Sequence, residues 1–167
     1  EEQSDSGTQP ETILDRAMTT YEVMKNAAMS GIASDMKSVS GLTGGDAAKY
    51  YNYLRNNRSL LGSMESRAVA YALGTSGYNA AMGVVVACPT AGAAGIVPGV
   101  LIAAQEEYGF SDREAVCGLL TASAIGGVVA TRATVSGAAG GCQAECGTAC
   151  AMGAAALVEV MGGSPRQ

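Results

Sequence analysis

Three cysteines, Cys142, Cys146 and Cys150, recur at intervals of four within GGCQAECGTACAM. On a helix that interval advances by about 40° per step, so the three thiols would share one broad face, and thiolates gathered on a face can approach a metal ion or cluster. A rigid helix nevertheless spreads the outer two by roughly 12 Å, too far for all three to reach one ion without unwinding. Cysteines among Ala and Gly are also ordinary small core residues, so spacing alone leaves metal binding and packing both open. Cys88 precedes Pro89 and is expected at an element terminus beside the loop PTAGAAG, a better place for a working thiol than mid-helix, with a core role as the alternative.

A second chemical locus is SGLTGGDAAK. Ser40 and Thr43 offer hydroxyls, and the pair Gly44-Gly45 followed by Asp46 reads as a loop feeding a helix N-terminus, where unpaired backbone N–H groups suit a small carboxylate or phosphate. An ordinary capped loop would have the same appearance. The chain has no His. That removes imidazole general bases, Ser-His-Asp and Cys-His nucleophile systems and every His-ligated metal site, so acid–base work must fall to a carboxylate, Lys, Tyr, Cys or a metal-bound water.

Helices are the elements that must position these groups. Leu14, Met18, Tyr21 and Met24 recur at helical spacing between Glu11 and about Ala33, with Gly31 expected to weaken or end the helix. A polar helix should follow Gly44-Gly45, and a third should cover Met64 to Leu73. The small and apolar run from Gly77 to Ala104 is interrupted by Pro89 and Pro98, which predict two or three buried segments rather than a membrane span. Ser111 and Glu114 form a Ser-x-x-Glu capping box ahead of the apolar run Ala115 to Ala130. The second half of 140–163 reads as a helix ending at a Gly pair. β-Branched residues occur in short clusters, not alternating runs, so the fold class is all-α, a bundle packed through Gly and Ala.

Composition bounds the function. Net charge is -5, and the ten Lys and Arg are scattered without interleaved aromatics, which gives no footprint for nucleic acid. Five cysteines make a poor disulfide framework and favour a reducing cytoplasm. The polar opening EEQSDSGTQPE carries no signal-peptide pattern, so residues 1–11 are expected as a disordered lead or a boundary, 12–163 as one domain, and 164–167 as a cut end.

Taken in order, SGLTGGDAAK, GTSGYNAAMGVVVACPTAGAAGIVPGVL and GGCQAECGTACAM resemble the consecutive signature blocks of iron-sulfur-dependent bacterial L-serine dehydratase α domains, over nearly everything from residue 12 to 163. The resemblance implies deamination of L-serine to pyruvate and ammonia without pyridoxal phosphate. It also implies a 4Fe-4S cluster on three cysteines with one open iron acting as a Lewis acid. Cys142, in GCQAE, matches one family ligand; the other two belong to a later segment resembling CDPVGG and a following Pro-Cys, which these 167 residues do not include. Cys88, Cys146 and Cys150 are not assigned by the resemblance and stay weaker candidates; Cys146 stands where an apolar residue is expected.

By the same resemblance Ser40, Thr43, Gly44, Gly45 and Asp46 are the candidate contacts for the substrate carboxylate. Lys49, Asp46, Glu145, a Cys or a residue from another part of the enzyme could serve as the base, and none is ranked. A β chain or β domain and a homo- or hetero-oligomer are implied as partners. Two alternatives stand beside this reading: a related cluster-dependent L-cysteine desulfurase, and a non-catalytic domain lacking a complete cluster site.

Overall fold

The computed structural model describes residues 7–167; residues 1–6, the larger part of the expected lead, lie outside the described residues. Among the described residues seven helices follow one another: α1 (Pro10–Ala33), α2 (Asp46–Asn56), α3 (Ser63–Ala80), α4 (Ile96–Tyr108), α5 (Asp112–Arg132), the single turn α6 (Gly137–Gly140) and α7 (Cys142–Val160). A 3-10 turn, Ala91–Ala93, precedes α4. No strand forms among the described residues, and one isolated bridge pairs Lys37 with Gly44. The all-α bundle expected from the sequence is the observed fold.

Each helix has a local reason. Pro10 opens α1 in its first turn, where a missing N–H costs nothing. Ala17, Tyr21, Met24, Ala28 and Ile32 then form its buried stripe. The helix passes through Gly31 to Ala33, because Gly31 sits in a close crossing and not at an end. The Ser111–Glu114 capping box is present in both directions at the head of α5: the Glu114 amide donates to the Ser111 hydroxyl, and the Glu114 carboxylate accepts from the Ser111 amide at 2.7 Å.

Three expectations are revised. α3 runs seven residues past Leu73, through GTSGYNA. Thr75 bonds back to the Tyr71 carbonyl, and Gly74 is held in the crossing with α1, so tertiary packing overrides weak local propensity. Pro98 does not interrupt the chain: it lies in the first turn of α4, whose opening backbone bond runs from the Gly99 amide to the Gly95 carbonyl. The last long helix begins at Cys142 and carries all three clustered cysteines without a break.

α1 and α4 flank α3, α5 packs along α7, and α7 closes on α4. Tyr21, Tyr71, Met24, Leu101, Val97 and Val116 are fully buried among alanines. The two buried phenols each reach a polar partner, Tyr21 donating to the Gln105 side-chain oxygen at 2.9 Å and Tyr71 to Glu106 at 2.7 Å. Burial pushes both phenols far above their ordinary range, so they remain hydrogen-bond donors. α5 is long and apolar enough to cross a membrane by length and composition. Its charged, capped first turn and its packing against α7 and α1 belong equally to a bundle helix.

Helix crossings at glycine set the architecture. A Cβ on Gly74 would stand 2.7 Å from the Ala28 carbonyl oxygen, and one on Gly31 would collide with the Gly74 backbone. Gly74→Ala should therefore lower unfolding stability by at least about 1–3 kcal/mol, since backbone and not a movable side chain must yield. A urea-denaturation midpoint unchanged from the parent chain would contradict the crossing.

Candidate active site

Two of the three chemically marked stretches are bonded to the C-terminal end of α3, and the third is bonded to one of them. From one side the Val39 amide donates to the Ala80 carbonyl at 3.2 Å, tying down the SGLTGG loop. From the other, the Asn79 side-chain amide donates to the Ala91 carbonyl at 3.3 Å, fixing the loop that follows Cys88 and Pro89. That loop in turn holds α7, where the Thr90 hydroxyl donates to the Glu145 carboxylate at 2.7 Å.

The SGLTGG loop is shaped by its own hydroxyls. Ser38 accepts from the Thr43 amide at 3.2 Å and lies 3.1 Å from the Ser40 oxygen, which is near the Leu42 amide. Thr43, Gly44, Gly45 and Asp46 then line a small cleft of about 210 Å³, walled on the other side by Ser76, Gly77 and Ala80 of α3. Ser40 does not line this cleft; its visible role is to brace the loop. Gly45 caps α2 in the left-handed region at φ 77°, which favours glycine, and no side chain caps that end.

Sequence reasoning missed Asp35, whose carboxylate packs directly against Gly45. A carboxylate there favours the positive end of the α2 dipole, as does Asp46 in the first turn. It also missed the bracing by Ser38, Asn79 and Thr90. Asn79 and Thr90, both inside GTSGYNAAMGVVVACPTAGAAGIVPGVL, carried a signal beyond their residue types, and Ser38 did not.

The thiols are not gathered at one point. Cys142 is exposed at the head of α7, Cys146 is half-buried one turn on, and their sulfurs lie 3.6 Å apart. The Cys142 thiol beside it pushes the Cys146 thiol above its ordinary range. Cys150 is exposed further along the same unbroken helix. Cys88 is buried and lines a different cleft, of about 410 Å³, with Thr20, Ser123 and Met152. Desolvation raises its pKa to about 11, so it is a neutral thiol at physiological pH. Among the described residues no three His, Cys, Asp or Glu side chains are arranged to hold a metal ion.

Of the candidate bases, Lys49 and Asp46 are exposed on α2. Glu145 is half-buried, with one oxygen held by Thr90, and a Cβ on Gly137 would stand 2.5 Å from the other. Small residues around that carboxylate let it lie between the Thr90 loop and α6.

The family model for the serine dehydratase alpha chain matches residues 1–167. The chain is 46% identical over 157 residues to a probable L-serine dehydratase alpha chain of Bacillus subtilis, covering 94% of this chain and 52% of that protein. It is 41% identical over all 167 residues to the L-serine dehydratase alpha chain of Peptoniphilus asaccharolyticus, covering 57% of that protein. With L-serine dehydratase TdcG of Escherichia coli it shares 48% identity over 99 residues, 58% of this chain and 22% of that one. The chain thus spans about half the length of the two alpha chains.

Two outcomes follow from the geometry. Brief alkylation of the native chain near pH 8 should label Cys142 and Cys150 and spare Cys88 until denaturant is added; equal labelling of Cys88 in the folded chain would contradict its burial. Thr90→Val should cost about 1.5–3 kcal/mol of unfolding free energy, the worth of a hydrogen bond to a charged group, with Glu145→Gln adding less than its separate effect in a double-mutant cycle.

Proposed function

Since the chain belongs to the serine dehydratase alpha-chain family, we propose that it forms the catalytic α part of an L-serine dehydratase, a lyase converting L-serine to pyruvate and ammonia. The observation that carries this reading is the linkage of three separated stretches at the end of α3: the SGLTGG loop, which lines a small cleft, and the Thr90 loop are both bonded to it, and the Thr90 loop in turn holds the cysteine-bearing helix through Glu145. Both alpha-chain relatives carry names that imply a companion chain. A β chain or domain, an oligomer and a cytoplasmic setting complete the proposal.

L-Serine is a zwitterion, and the cleft offers both complements. Thr43 and the backbone amides at the uncapped start of α2 suit the α-carboxylate. Asp46, lining the cleft, supplies negative charge for the α-ammonium. Together they would orient the Cα–H bond for removal by a base. Loss of hydroxide then leaves an aminoacrylate, which tautomerises to the imine and hydrolyses with little help from the protein.

The family resemblance brings a 4Fe-4S cluster, which this chain fits in part. Cys142 would hold one corner, exposed at the head of α7 with Cys146 beside it. The absence of a three-donor set among the described residues means that the remaining ligands would come from outside them. When bound, such a cluster supplies a Lewis acid for the departing hydroxide. The same observation favours a second reading, a domain that holds no cluster unaided; iron and labile sulfide analysis separates the two.

The test is pyruvate formation from L-serine by the anaerobically reconstituted enzyme, with its companion chain and complete cysteine set. Thr43→Ala should raise KM about fivefold or more, the worth of one hydrogen bond, and Ser40→Ala should do less because it acts through the loop. Unchanged kinetics in the double variant would remove the cleft from the assignment. Turnover of L-cysteine without L-serine would move the enzyme to the desulfurases, and inactivity on both would overturn the function.

A further inference from the structure

We propose that Cys142 and Cys146 form a proximal dithiol that oxidises reversibly to an intrahelical disulfide at the head of α7. Their sulfurs already lie 3.6 Å apart, and among the described residues this is the one thiol pair in sulfur contact. The pair is reachable from solvent, since Cys142 is exposed and Cys146 half-buried.

Closing the bond requires local movement, and the position allows it. Residues four apart on a helix have Cβ atoms about 5–6 Å apart, whereas a disulfide holds them at about 3.5–4.5 Å. Cys142 is the first residue of α7, its own N–H has no intrahelical carbonyl, and no side chain caps that end. Gly141 before it, at φ 78° and ψ 175°, has open space around it and gives the chain a pivot. Fraying one turn therefore brings Cys142 onto Cys146. The pair Cys146 and Cys150 has the same spacing but lies inside the continuous helix, where the same approach would break backbone bonds on both sides.

The oxidant is a low-molecular-weight disulfide such as oxidised glutathione. One protein thiolate attacks it, breaking its S–S bond, releasing one glutathione and leaving a mixed disulfide. The second protein thiolate attacks the protein sulfur of that intermediate, forming the Cys142–Cys146 bond and releasing the second glutathione. Two electrons pass from the protein to the oxidant, and the two thiol protons end on the glutathiones. Reduced glutathione or thioredoxin reverses the sequence. Oxidation withdraws Cys142 from any metal, a consequence that rests on the function proposed above; the bond itself does not.

The 167-residue chain, metal-free and under native conditions, is exposed to oxidised glutathione and its thiols counted. Free thiols should fall from five to three, with a mass lower by two hydrogens. Proteolysis after Glu145 should leave the Cys142 and Cys146 fragments joined until reduction. Cys150→Ser should keep the bridge and Cys146→Ser abolish it. In denaturant the two pairs of equal spacing should bridge at similar frequency, so native selectivity for the first reports the folded helix and not the spacing. Five persisting thiols, a stable mixed disulfide at Cys142, or a native bridge to Cys150 would each overturn the proposal. In a second arm, oxidised parent enzyme should take up iron and sulfide only after reduction and carry no glutathione, while oxidised Cys146→Ser, lacking the resolving thiol, should carry a glutathione adduct at Cys142 until it is reduced. Failure of the reduced parent to load at all would count against the proposed function and leave the thiol result standing.

Discussion

The close approach of α3 to both its neighbours is the constraint on which the rest of the molecule depends. Gly74 meets the Ala28 backbone of α1, while Gly95 and Gly99 at the start of α4 meet the backbone of Ala72 and Ala68. A glycine inside a helix costs about 0.5–1 kcal/mol relative to alanine, a cost offset here because backbones in van der Waals contact leave no volume for large side chains to fill. A chain with one Phe and no Trp has few other ways to build a dense interior. With α3 held on two faces its C-terminal end becomes a fixed post. The SGLTGG loop, the segment after Cys88 and, through it, α7 are all bonded to that post or to one another.

The elements legible in the sequence were those whose signals are local. The stripe of Leu14, Met18, Tyr21 and Met24 announces α1, and Ser111 with Glu114 announces the head of α5, because both depend only on residues one turn apart. α3 past Leu73 was not legible, since Gly74, Thr75 and Ser76 are poor helix formers and the reason they stay helical lies on α1, more than forty positions away. Pro98 was misread for a similar reason. A proline stops a helix from within but opens one from its first turn, and which applies depends on where the 3-10 turn at Ala91–Ala93 hands over to α4.

The candidate site divides along the same line. The Gly44-Gly45-Asp46 entry into α2 was readable, because an uncapped helix start needs flexible backbone and that shows in the residue types. The Asp35 carboxylate against Gly45 was not, since it is brought there by the pairing of Lys37 with Gly44, a register no periodicity reveals. Its carboxylate lies outside the cleft lined by Thr43 and Asp46, in the neighbouring recess with Ala48, Tyr51 and Asn52. Cys88 illustrates the reverse case. Its position before a proline left a working thiol and a core role both open, and the packing of α1, α5 and α7 around it makes it a core residue with a neutral sulfur.

The geometry of α7 also limits what its cysteines can do together. A continuous helix presents residues at intervals of four along a slowly turning line, so neighbouring thiols can meet but the third is carried away by the rise of the turn between. Cys142 and Cys146 meet at 3.6 Å, whereas Cys150 has no sulfur contact among the described residues. A cluster needs thiolates arriving from several directions, which one straight helix does not provide. On the proposed reading, the helix head therefore contributes a corner of the site rather than the whole, and its further ligands must approach from the exposed side that Gly141 leaves open. The unbroken start of α7 at Cys142 makes that corner well placed. It is rigid behind, where Glu145 is pinned to Thr90, and free in front, where no side chain caps the first turn.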